Sequence, residues 1–341
     1  MFHIDLEAGK ILDWAWEVAR KYLASTSMDA LREKARNVDA EAHYNIGFMY
    51  YGEYNVKKDY AEAIRWWLGS ANKGYAPAQL ALGCAYHEGI GTLQNYAEAM
   101  KWYSKAAEQG FTSAQFALAT MYVNGEGVRQ NYSEAAKWLR NIAERGHADA
   151  QFYLGVMYAD GEGVRQDYAE AVKWYRKAAE QGLAQAQFNL GGIYFNGDGV
   201  RQDYSEAVKC YRKAAEQGLA EAQFNLGIAY YNGFGVRQDY SEAVKWFSIA
   251  AEQGNVMAQF NLGGIYKEGK GLKKDYSESV KWYRKAAEQG HVDAQVLVGI
   301  AYGTGDGVRQ DYSEAIKWLR LAARQGDSDT QATLRQLGET W

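Results

Sequence analysis

A 36-residue period governs this chain, and few folds accommodate one. Ala42, Ala78, Ala114, Ala150, Ala186, Ala222, Ala258 and Ala294 open eight units at unbroken spacing. With that alanine as position 1, tyrosine stands at position 9 of every unit, from Tyr50 to Tyr302, and glycine at position 33, from Gly74 to Gly326. Units of this size are single supersecondary elements whose core comes from stacking on neighbours. The period therefore predicts a repeat array.

Each unit reads as two helices. Positions 1, 5, 8 and 9 are apolar and fall on one side of a helix, as in Ala186, Leu190, Ile193 and Tyr194. A second helix opens with Asp or Asn at position 18 and Glu at position 21, for example Asp167 with Glu170. This is a capping box, in which the cap accepts from an early N–H and the glutamate reaches back. Apolar residues follow at 22, 25, 26, 29 and 30, and the position-33 glycine suits the left-handed end of a helix. Gly-x-Gly-Val-Arg-Gln between the helices forms a short turn.

Packing explains the recurrent side chains. Glycine at position 6 (Gly83, Gly155, Gly191, Gly227, Gly263, Gly299) and small residues at 29 and 30 let helices approach closely. Tyr at position 9 and Trp at position 25 then supply large buried areas. Cys210 takes the Trp position of the fifth unit and reads as a small core hydrophobe.

The recurring LGxxYxxGxGVxxDYxEAxxWYxKAAxxG pattern resembles the Sel1-like repeat family, relatives of the tetratricopeptide repeats, and covers residues 42–329. The likeness of units such as GVRQDYSEAVKW resembles bacterial members. The resemblance implies an all-α solenoid of stacked helix hairpins forming a right-handed superhelix whose concave surface commonly receives partner proteins. The first unit departs from the pattern, with Glu53 and Asn55 in place of the two loop glycines, which puts its turn geometry in question.

The ends need caps, because an outermost repeat otherwise exposes an apolar face. Residues 1–41 carry helical patterns through Ile11, Ala15, Val18, Ala19 and Tyr22, then through Ala30 to Ala35. They read as a degenerate leading hairpin on which Trp14 and Trp16 point in different directions. Residues 330–341 begin a ninth unit and abandon it, forming a capping helix that packs back through Leu334 and Leu337.

Composition removes several functions. A formal charge of −4 with no basic block argues against nucleic acid. No apolar run approaches a membrane span, and Asp5, Glu7 and Lys10 interrupt any apolar leader within Met1 to Leu12. Cys84 and Cys210, three and a half repeats apart, are unsuited to bonding each other. A cytoplasmic location follows, or a periplasmic or secreted one if a leader precedes Met1.

Catalytic constellations are missing as well. The glycine turns lack the strand and the GK[ST] ending of a phosphate cradle. His3, His43, His87, His147 and His291 form no metal-ligand spacing, and no serine sits in a nucleophile elbow. No cofactor, no metal and no enzymatic activity are expected.

What remains is the surface where the units differ. Positions 7 (Phe48, Thr120, Val156, Ile228) and 10 (Tyr51, His87, Val123, Phe195, Tyr231, Lys267) vary most on the first helix. Position 3, mostly phenylalanine, reads as packing between helices. Position 11 (Glu88, Asn124, Asp160, Asn196, Asn232, Glu268) adds a polar margin. These residues either line a partner-binding groove or pack between neighbouring repeats. An aromatic groove suits a helix or an extended peptide. The leading expectation is thus a non-catalytic scaffold or adaptor whose partner is another protein or peptide. An immunity protein neutralising a secreted effector is the alternative that the resemblance permits. A secreted host-factor binder or β-lactam hydrolase fits less well, because the relatives of that kind carry a cysteine pair in each repeat.

Overall fold

A computed structural model of the chain describes residues 8–24, 27–37 and 39–341, so Asp5, Glu7 and His3 lie outside the described residues. Among the described residues there are nineteen helices and no strand. The first two are α1 (Ala8–Leu23) and α2 (Met28–Arg36). Eight hairpins follow: α3 (Ala40–Tyr51) with α4 (Tyr60–Ala71), α5 (Ala76–Glu88) with α6 (Tyr96–Glu108), α7 (Thr112–Asn124) with α8 (Tyr132–Glu144), and α9 (Ala148–Asp160) with α10 (Tyr168–Glu180). The second half repeats them as α11 (Ala184–Asn196) with α12 (Tyr204–Glu216), α13 (Ala220–Asn232) with α14 (Tyr240–Glu252), α15 (Val256–Glu268) with α16 (Tyr276–Glu288), and α17 (Val292–Thr304) with α18 (Tyr312–Arg324). A short α19 (Ser328–Gln336) closes the series. The chain divides into two compact units, Met1–Lys177 and Ala178–Trp341.

Local chemistry sets the helix limits. The position-18 side chain accepts from the backbone N–H three residues on, as Asp59 does from Glu62 at 3.0 Å and Asn95 from Glu98 at 3.1 Å. The glutamate does not complete the expected box. Its carboxylate pairs instead with the lysine one turn along, as Glu98 does with Lys101 at 3.1 Å. The cap N–H is already donated to the position-9 carbonyl, Asp59 to Tyr50 at 3.1 Å and Asn95 to Tyr86 at 2.8 Å, which leaves the glutamate free for the lysine.

The close contact inside each hairpin falls one residue away from the expected place. A methyl group on the position-6 glycine would meet the ring at position 26: Gly83 stands against Tyr103, Gly155 against Tyr175 and Gly227 against Phe247. The position-26 rings are buried, whereas most position-25 tryptophans and all position-9 tyrosines are half-buried. Lysines lie over several of these tryptophans, over half-buried Trp282 through Lys285 and over Trp102, which is itself buried, through Lys105. Cys210, in that place, is correspondingly half-buried and not a core residue. Neither cysteine is in a disulfide, and burial pushes the Cys84 thiol up to about 12.

A buried polar seam fixes the register between hairpins. Glutamine at position 2 donates through Nε2 to the position-30 carbonyl of the preceding repeat: Gln79 to Ala71 at 3.2 Å, Gln151 to Ala143 at 3.0 Å, Gln223 to Ala215 at 3.1 Å. Its Oε1 accepts from a glutamine at position 32, as in Gln109 to Gln79 and Gln217 to Gln187, both 2.8 Å. Each rung satisfies amide groups that would otherwise be desolvated. Repeat three lacks one rung. Arg145 stands at position 32 and bonds the Gly110 carbonyl, leaving Oε1 of Gln115 buried with no partner among the described residues.

The turns explain both loop glycines. Position 14 has positive φ and lies on the backbone of the preceding repeat: a Cβ on Gly91 would sit 2.6 Å from the Tyr60 oxygen. Glu53 and Asn55 adopt the same left-handed conformation, at φ 58° and 56°, so the first turn keeps the common geometry.

The ends differ from expectation. α2 packs on α3, but α1 does not lie alongside α2 as the helices of a repeat do; it packs on α3 and α5. A leading hairpin would bury one stripe of α1, and this helix has two to place. Leu12 and Ala19 go under, while Trp14 and Val18 stay out. At the other end Leu334 is buried, but Leu337 is 60% exposed, because the helix stops at Gln336 before Leu337 turns inward.

Candidate functional site

The expected groove residues separate by burial. Phe48, Tyr51, His87, Thr120 and Val123 are buried. Val156, Phe195, Ile228 and Tyr231 are half-buried, and Lys267 is exposed. The first five therefore offer no open surface, and each has a local reason. Phe48 is held edge-on by Tyr44, Tyr51 and Trp67 at ring separations of 4.9, 5.8 and 5.0 Å. The Tyr51 hydroxyl donates to the Asp13 carboxylate of α1 at 2.7 Å, and burial and that carboxylate together push its phenol pKa up. Thr120 turns its hydroxyl onto the Phe116 carbonyl at 3.0 Å, and the short Val123 side chain is covered in the core of its hairpin.

Position 10 has a second role that explains its variability. It meets position 13 of the next repeat, and in three cases the chemistries match. His87 Nε2 lies 3.0 Å from Glu126, the Phe195 ring lies 5.7 Å from Phe234, and Lys270 Nζ donates to the Tyr231 hydroxyl at 2.9 Å. Lys267 and Asp306 line one small hollow of about 50 Å³. Variation here follows the next hairpin, so much of it is packing between repeats. Sequence reading missed position 13, although its changes alongside position 10 (His with Glu, Phe with Phe, Tyr with Lys) were visible.

The polar margin mostly serves its own loop. Glu88, Asp160, Asn196, Asn232 and Glu268 are exposed, and Asn124 is half-buried. Asn196 donates to Asp198 at 3.1 Å and Glu268 pairs with Lys270 at 2.6 Å.

The open apolar surface of the first unit lies elsewhere. α1 seats Ala8, Leu12 and Ala19 on α3 and α5, and a methyl on Gly52 would strike the Trp16 ring, so α1 fits closely. Its other edge is solvent-exposed: Trp14 is 66% exposed, Val18 51% and Tyr22 40%. Between that edge and the starts of α3, α5 and α7 lies a cavity of about 640 Å³, walled by Tyr44, Tyr75, Leu80 and Phe111. A second cavity of about 260 Å³ shares Ile11, Thr112 and Ser113 with it and reaches Phe116 and Ile142. The divergent directions of Trp14 and Trp16 were legible in the sequence; the cleft was not.

Among the described residues no group of three or more His, Cys, Asp or Glu could hold a metal ion, and no helix is long and apolar enough to cross a membrane.

The Sel1 repeat family matches residues 40–75, 76–111, 112–147, 148–183, 184–219, 220–255, 256–291 and 292–327. The chain belongs to this family: it is a Sel1-repeat protein. It is similar to c5321, a protective antigen present in uropathogenic Escherichia coli strains and displaying an SLR fold, with 39% identity and a TM-score of 0.83 over 92% of this chain and 67% of that one. A Sel1 repeat protein from Oxalobacter formigenes shares 34% identity at a TM-score of 0.78, over 94% of this chain and 93% of that one. The immunity protein Pa5087 from Pseudomonas aeruginosa is much less similar, at 21% identity and a TM-score of 0.36 over 62% of this chain and 81% of that one. No curated protein matches this chain. Solenoids of Sel1 repeats are commonly protein-interaction scaffolds, and proteins of the family are generally not enzymes.

Proposed function

We propose that this protein is a non-catalytic scaffold that holds a partner protein against first helices of its hairpins, with the cleft beside α1 as the principal contact in the first compact unit. The observation that carries this reading is the exposed row Trp14, Val18 and Tyr22 bordering a cavity of about 640 Å³. An apolar concavity with aromatic walls is the usual form of an anchoring pocket, and large exposed aromatic side chains beside one are costly to leave in water without a use. The half-buried Val156 in the first unit, and Phe195, Ile228 and Tyr231 with the exposed Lys267 in the second, remain candidates for additional contacts.

A photo-crosslinking residue in place of Val18 tests the reading in living cells, with one in place of Lys209 on the exposed surface of α12 as the control. A discrete protein adduct formed from the Val18 site and not from the Lys209 site is the expected result. Equal labelling from both positions would remove the cleft from consideration.

A further inference from the structure

Granting that the cleft beside α1 is a binding surface, we infer that its occupant is an amphipathic α-helix lying alongside α1, not an extended peptide. The chain already seats one helix on this face: α1 buries Ala8, Leu12 and Ala19 on α3 and α5, and the cleft continues from that interface without a break. Trp14, Val18 and Tyr22 recur at intervals of four, the ridge by which one helix interdigitates with another. That ridge is about 12 Å long, at a rise of roughly 1.5 Å per residue, enough to meet two turns of a partner. A strand, whose side chains alternate with a period of two, would set every second contact against it.

The walls favour the same occupant. Apart from Glu41, Asn45, Thr112 and Ser113, the side chains lining the larger cavity are apolar or aromatic. An extended peptide would bring unpaired backbone N–H and C=O groups against these surfaces, whereas a helix satisfies its own. The shared residues Ile11, Thr112 and Ser113 let a helix longer than the ridge extend over the start of α9, where Asp149 and Ala150 line the second cavity.

The probe is a fluorescein-labelled peptide of leucine and lysine, about 18 residues or five turns long, with leucines at helical spacing. A peptide of the same composition with strictly alternating leucine is the control. Fluorescence anisotropy is read on the full chain at physiological salt, and on the chain carrying Trp14→Ala with Val18→Ser. Both substituted side chains are exposed, and an unchanged circular dichroism melt verifies folding. The helical peptide should bind roughly tenfold more tightly than the alternating one, and should lose about tenfold in the variant, as removal of an aromatic anchor does.

If both peptides bind equally and both weaken in the variant, the cleft remains a binding surface and the helical occupant is wrong. Binding indifferent to the variant removes the cleft reading as well. A dimer of the chain alone, seen by sedimentation and abolished by Trp14→Ala, would identify a second copy as the occupant and overturn the inference.

Discussion

Tyr51 and Tyr231 hold the same position five repeats apart and meet different company. Tyr51 is buried under α1 and bonds Asp13, while Tyr231 stays half-open and accepts from Lys270 of the next hairpin. The contrast extends to their surroundings. The first unit departs from the repeat pattern at Glu53, Asn55 and Arg145, where the second unit keeps glycine in its loops and glutamine in its rungs. The two loop departures fall in the first repeat, where the preceding hairpin is missing, whereas Arg145 has a hairpin on either side and leaves an amide oxygen unpaired. Asn55 has no preceding hairpin loop to strike, whereas Gly235 lies with its Cβ direction 2.2 Å from the Tyr204 oxygen. A repeat residue is thus constrained by its neighbours as much as by its own helix.

The largest effect should come from that loop. Gly235→Ala combines left-handed strain with a clash against backbone that cannot yield, and should cost about 3 kcal/mol. Asn55→Ala should cost no more than about 1 kcal/mol. Hydrogen exchange in the flanking hairpins measures both locally, which suits an array that need not unfold in one step. Equal costs would refute the steric account of the position-14 glycine.

Next in size is the pair of tyrosines. Tyr51→Phe removes a hydrogen bond to a carboxylate and should weaken the seating of α1 by about 1.5 kcal/mol, seen as faster proteolysis within residues 8–23. Tyr231→Phe leaves Lys270 paired with Glu268 and should change stability by less than about 0.5 kcal/mol.

The missing rung offers a gain. Arg145→Gln should supply the donor that Gln115 Oε1 lacks and raise stability by about 1 kcal/mol, while Gln217→Arg should lower it by a similar amount. Opposite shifts in the melting temperatures of the two variants are the expected signature. The smallest change is Asn55→Gly, which exchanges left-handed strain for chain entropy, for a net gain of about 0.5 kcal/mol.

Much of this architecture was legible because repetition averages out local ambiguity. The hairpins, their aspartate and asparagine caps, and the position-33 glycines at φ between 85° and 97° all follow from residues that recur eight times. What resisted reading occurs once or depends on a neighbour. α1 has no second copy to compare, and its two apolar edges left open which one faces the protein. The groove expected at Phe48 and Tyr51 was legible as variation, yet that variation reflects α1 above it and, at position 10, the next hairpin beyond it. Gln79 and its counterparts were visible as polar residues in an apolar helix. Their meaning needed the carbonyl eight residues earlier, across a turn.

The glutamine seam also determines how such a chain can change in length. The bond from the position-2 amide to the position-30 carbonyl joins one repeat to the next, and Gln331 at the start of α19 still makes it, to Ala323 at 2.8 Å. Duplicating or excising a whole 36-residue segment regenerates every rung at the new junction, while any other length leaves amides stranded in the core. Growth is therefore quantised in whole repeats as far as the glutamine seam is concerned, while the pairs between position 10 and position 13, such as Phe195 with Phe234, would have to be matched again at each new junction.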